Sequence, residues 1–235
     1  QDSWDCGLAC VCMILRAFGY TTCTIPQLLR QAKTDSIWTI DLVFLLSHYL
    51  QADFTYYTKF AGINPEHTTQ AFYKDELDAD EIRVQRLFTT ARWEGINVLE
   101  VAIPLLDLKR FLVHRQYVAI LLVDSTALKC VACERARATR GGHTRSKSMN
   151  MFRSKEPEPH TGSGLLGWFS RRRPLKDRDG YLGHYILLIA YIPSLDMFLY
   201  RDPGIPEEFC VASAQTIDSA RCRPGTDLDC IILKL

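Results

Sequence analysis

The sequence predicts an α+β fold, with N-terminal helices packed on a mainly antiparallel sheet. Three observations lead there. The first fifty residues carry apolar positions at helical spacing, the second half carries short apolar runs of strand length, and "PSLD" joins two of those runs as a turn. With 235 residues, 47% of them hydrophobic and 11% aromatic, the chain can bury a sizeable core as a single domain over 1–235, interrupted by an insertion at about 130–180.

The elements follow in order. Leu8, Val11, Cys12, Leu15 and Phe18 share one helical face from Cys6 onward, and Gly19 stops the helix. "TIPQLLRQA" starts a second helix, with Thr24 as its cap and Pro26 in its first turn, and "TIDLVFLLSHYL" a third, with Thr39 as its cap. "DFTYYTKF" is rich in aromatic residues and Thr, as strands are. Leu77 to Trp93 returns to helical spacing with acidic residues crowding its start, where the helix dipole favours them. "INVLEVAI" is a short strand, "PLLDLKRFLVHRQ" a helix opened by Pro, and "YVAILLV" a strand of a buried sheet. "HYILLIAYI", "MFLYRDP" and "CIILKL" complete the sheet, the first two as a hairpin across "PSLD".

The formal net charge of +1 hides an uneven distribution. Arg135 to Arg178 holds twelve Lys and Arg against three Asp and Glu, leaving sixteen against twenty-four elsewhere. That stretch, within a segment from Cys130 to Gly180 rich in Gly, Ser, Pro and Arg, reads as a surface insertion able to contact an acidic partner. It lacks the interleaved aromatic residues of a base-stacking platform, so nucleic acid is not the expected partner. Nine cysteines, several within apolar runs, point to free thiols in a reducing compartment, cytoplasmic or nuclear. No run approaches the length of a membrane span, and a membrane partner is not expected.

Cys6 sits at the start of a helix, where the dipole stabilises a thiolate. A nucleophilic thiol needs a base and the base needs an orienting group. Of the six histidines only His184 opens a buried strand, and Asp202 ends the strand that returns beside it. Eighteen residues separate the two with a turn near the middle, so about seven strand residues on each side, at roughly 3.3 Å apiece, bring them together. Cys10 and Cys12, deeper in the same helix, read as core packing.

"DCGLACVCM", "GHYILLIAY" and "RDPG" together resemble the papain-like cysteine peptidases of the C39 type. Closer still is a resemblance to the eukaryotic guanylyl cyclase domain-containing proteins, through "SWDCGLAC", "SIWTIDL", "GHYI" and the "GTD" of Gly225, Thr226 and Asp227. The first resemblance implies a papain-like, C39-like fold and a thiol hydrolase acting on a peptide or other acyl-type bond of a peptide or protein substrate. In it Cys6 is the nucleophile, His184 the general base and then acid, and Asp202 the orienter. It also implies an oxyanion-donating Gln upstream of the Cys. Gln1 lies five positions before Cys6 where the pattern has six, so either Gln1 is the oxyanion donor through a shorter turn or the donor precedes the first residue.

The second resemblance implies, by the family's name, cyclisation of GTP to cyclic GMP with Mg or Mn. Such a reaction is expected to survive Cys6→Ala. The sequence has no phosphate-binding G-x-x-x-x-G-K-[ST] loop, and "DADE" reads as a charged helix start before it reads as a metal cluster. A third reading is a non-catalytic interaction module that uses the basic insertion. No cofactor is required by the thiol reading; Cys130, Cys133, His143 and His160 are weak zinc candidates, since a lone C-x-x-C with irregular His spacing is not a zinc pattern.

Overall fold

The computed structural model describes residues 5–34, 36–50, 53–65, 77–131 and 181–235. The elements run α1 Cys6–Ala17, α2 Ile25–Ala32, α3 Thr39–Tyr49, β1 Phe54–Thr58, α4 Leu77–Trp93, β2 Val98–Glu100, α5 Leu105–Val113, β3 Tyr117–Asp124, β4 Gly183–Ile192, β5 Met197–Arg201, β6 Cys210–Ser213, α6 Ala214–Arg221 and β7 Cys230–Lys234. The expected α+β class holds. Seven strands form one mixed sheet in the order β2-β1-β7-β3-β4-β5-β6, antiparallel except for the β1/β2 pair.

Strand β3 shows why the sheet is buried on both faces. Its side chains alternate, sending Val118, Ile120 and Leu122 into a core with α1, α3 and α4, and Ala119, Leu121 and Val123 into a second core with α5 and α6. A strand covered on both sides reads as the continuous apolar run "YVAILLV". Helix α1 lies against β4 and α3, with Leu8, Cys10, Val11 and Leu15 fully buried.

Several local expectations are corrected. Thr39 is the first residue of α3 and not its cap; the position before it is Trp38, whose backbone N–H donates to the Asp41 carboxylate at 2.8 Å. Thr24 precedes α2 but makes no side-chain capping bond. Strand β6 and helix α6 were not anticipated, because "CVAS" is too short and "AQTIDSAR" too polar to carry a period. The start of α6 is set instead by Ser213, whose hydroxyl accepts from the Thr216 N–H at 3.1 Å. The basic insertion, Gln1, Cys133, His143 and His160 lie outside the described residues.

The "DADE" stretch resolves into a clamp between helices. Asp80 is buried and accepts from Ser36 Oγ, from Trp38 Nε1 at 2.8 Å and from Arg83 at 2.8 Å, while Arg83 also pairs with Asp41. Burial pushes the Asp41 carboxyl up to about 6 against the pull of Arg83. Removing one partner of a buried pair strands the others. Arg83→Ala is therefore expected to cost roughly 3 kcal/mol at pH 8 in a urea titration. The loss should shrink at pH 5, where Asp41 takes up a proton and no longer needs the cation.

Candidate active site

Three elements converge where the sheet meets the start of α1. Cys6 is the first residue of α1, His184 the second of β4, and Asp202 follows the last residue of β5. Asp5 stands at the cap position, and the N-terminal end of the helix faces the site. The structure brings together Cys6, His184 and Asp202.

His184 Nε2 and Asp202 Oδ1 are 2.7 Å apart, and the same carboxylate oxygen accepts from the Gly204 backbone N–H at 2.8 Å. A Cβ on Gly204 would stand 3.2 Å from that oxygen and 3.5 Å from His184 Cε1, so glycine keeps the turn close to the pair. The hairpin geometry differs from the equal strands expected: β4 has ten residues, β5 five, and the pairing is shifted between Leu188 and Ala190. Arg201 pairs with Leu187, three residues past His184, and Asp202 bends back from there to the ring.

Cys6 is 7% exposed, so the thiol at this helix start is largely enclosed. Its sulfur hydrogen-bonds the His184 ring and accepts from the Tyr185 backbone N–H at 3.4 Å. Burial lowers the His184 pKa, but hydrogen bonds to Asp202 and then Cys6 outweigh it and hold the ring up to about 10. Burial raises Asp202, and the His184 hydrogen bond overcomes this to leave the carboxyl below its ordinary range. At neutral pH the imidazole is thus a cation, held between the Asp202 carboxylate and the Cys6 sulfur.

Cys10 and Cys12 are buried as expected; Cys10 is pushed up by burial, and Cys12 Sγ donates to the Cys23 carbonyl at 3.3 Å. The eight cysteines among the described residues are all free thiols. Behind the site lies a polar chain the sequence did not reveal. Tyr185 Oη lies 2.8 Å from Thr39 Oγ1, which donates in turn to Asp229. Asp229 is buried, and its burial pushes the carboxyl up to about 7. Asp229 lies two residues past the quoted "GTD", and Tyr185 within the quoted "GHYI". Those two stretches were the available signal, although residue types alone did not pair them.

Among the described residues no three His, Cys, Asp or Glu side chains group as a metal site, and Cys130 is the single zinc candidate they include. No helix among them is long and apolar enough to cross a membrane.

The chain matches the family model described as guanylylate cyclase over residues 1–155 and 164–233. It is 34% identical over 233 residues to a protein named guanylyl cyclase 1 from Arabidopsis thaliana, covering 99% of this chain and 73% of that relative. No solved structure matches. These findings overturn the cysteine peptidase and thiol hydrolase assignment, and with it the description of Cys6, His184 and Asp202 as a peptidase's catalytic triad. Both names point to guanylyl cyclase.

Proposed function

The chain belongs to the guanylylate cyclase family, and from that premise we propose that it converts GTP to cyclic GMP and pyrophosphate at the Cys6, His184, Asp202 site. The observation that carries the reading is the His184 cation, held by Asp202 beside the positive end of α1. Both elements favour a triphosphate. The ribose 3′-oxygen attacks the α-phosphorus, the bond from that phosphorus to the bridging oxygen breaks, and its electron pair leaves with pyrophosphate. The hydroxyl proton passes to solvent. His184 stabilises negative charge as it builds on the bridging oxygen, a contribution that matters most where water is restricted.

The described residues do not form a metal cluster, so no step is assigned to a protein-bound ion. A divalent cation enters with the triphosphate, as part of a Mg·GTP or Mn·GTP substrate. The packing of α1 against the sheet also supports reading the fold as papain-like, of the C39 kind, a statement about architecture and not about chemistry.

This reaction needs no covalent bond to sulfur. Cyclic GMP formation by Cys6→Ser is expected to stay within about tenfold of the parent, since Asp202 remains to hold the His184 proton. Cyclic GMP is measured by mass spectrometry after incubation with Mg·GTP or Mn·GTP. Complete loss in a folded Cys6→Ser variant would overturn the proposed mechanism.

A further inference from the structure

A cavity of about 280 Å³ opens beside Asp202, between α1 and the segment from Arg201 to Glu208. Its position follows from helical spacing. Ala9 and Met13, three and seven residues past Cys6, face the same side of α1 and line it. Met13 and Ile25 form one wall, and Pro203 and Pro206 line the segment opposite. The result is a slot of mixed lining beside the reacting centre, apolar along Ala9, Met13, Ile25 and the two prolines and charged along Arg201, Asp202, Glu207 and Glu208.

Its rim carries two carboxylates with different situations. Glu208 lies 3.4 Å from Arg201, whose guanidinium also stacks on the Phe209 ring at 5.2 Å. Glu207 is half-buried and, among the described residues, has no hydrogen-bond or ion-pair partner. A slot with apolar walls on two sides and an unengaged acceptor in its lining fits a flat ring with adjacent N–H donors on one edge. Guanine has that edge, in N1–H and the exocyclic amino group. Adenine places an acceptor at N1, which a carboxylate repels. The reach also fits: seven residues from Cys6 to Met13 at about 1.5 Å each give about 10 Å along α1, comparable to the span from an α-phosphate to its base.

We infer that this cavity is the guanine subsite, with Glu207 accepting from N1–H and the exocyclic amino group. The inference rests on the GTP reading of the neighbouring site and adds to it the group that selects guanine. A site built to hydrogen-bond a donor rejects an analogue that presents an acceptor there, because the half-buried carboxylate then faces another lone pair and loses part of its hydration.

The test is equilibrium binding of guanosine, inosine and adenosine to the full chain by calorimetry, with Glu207→Gln and the slot-filling Met13→Trp as variants. Guanosine should bind saturably, inosine several-fold more weakly for want of the amino group, and adenosine at least about tenfold more weakly. Glu207→Gln should weaken guanosine at least about tenfold and leave adenosine unchanged, while Met13→Trp blocks both. Equal binding of guanosine and adenosine, no guanosine binding by the parent, or unaltered binding by both variants overturns the subsite. If cyclic GMP forms but the GTP-over-ATP preference survives Glu207→Gln, the subsite falls and the cyclase reading stands. If guanosine binds through Glu207 but cyclic GMP never forms, the subsite stands and the cyclase reading falls.

Discussion

Replacing His184 with Ala is expected to lower cyclic GMP formation by at least about 100-fold, the range seen when a preorganised group that stabilises a developing negative charge is removed. The geometry sets the size of the effect. The ring is enclosed, fixed by Asp202 at 2.7 Å and bonded to the Cys6 sulfur, so water cannot replace its charge in the same place without reordering. The loss should fall on kcat more than on KM, because charge on the bridging oxygen builds only as the bond to the α-phosphorus breaks. His184 is largely enclosed but belongs to neither apolar core, so the variant should remain folded by circular dichroism. Retention of the parent rate would remove His184 from the mechanism.

Asp202→Asn should act through the protonation of His184, with an effect that depends on pH. In the parent the ring stays cationic until pH approaches about 10, so the rate falls only as pH rises through that value. Asparagine removes the first of the interactions that raise the ring, while burial, which lowers it, remains. With the pKa returned to the ordinary value near 6.5, about 3% of the ring is cationic at pH 8, a loss of roughly 30-fold. At pH 6 most of the ring regains its proton, and the loss should shrink to within about threefold. Stability follows the same sign. A raised folded-state pKa stabilises the parent fully below about 6.5, and this contribution disappears as pH rises toward about 10. Asp202→Asn forfeits it, so the variant's deficit in a denaturant titration should be larger at pH 7 than at pH 10. Equal rate losses at pH 6 and pH 8 would show that Asp202 acts by shape alone.

The long periodic elements were legible from the sequence. α1 begins at Cys6 because the apolar positions begin there, and "YVAILLV" is continuous because β3 is buried on both faces. The His184 and Asp202 pairing was also legible, as a hairpin argument that survives unequal strands, since the turn and the twist do what strand counting cannot. Thr39 shows the limit. By sequence it is a helix cap, yet its hydroxyl serves Tyr185 and Asp229, residues 146 and 190 positions away. Short polar elements such as α6 leave no period to find. The reaction class was misread for a different reason. A thiol, an imidazole and a carboxylate in one place suggest nucleophilic sulfur chemistry by residue type, and an imidazolium beside a thiol fits that chemistry as well as it fits a phosphate, so it is the family match that points to cyclisation. Charge state depends on the enclosure and hydrogen bonds of the folded site.

The most direct measurement is the product balance with Mg·GTP or Mn·GTP: cyclic GMP and pyrophosphate quantified together over one time course with the intact chain and with His184→Ala. The account expects the two products in equal amounts from the parent, with formation of both reduced at least about 100-fold in the variant. Folded parent protein that yields no cyclic GMP, or yields it at the same rate without His184, would contradict it.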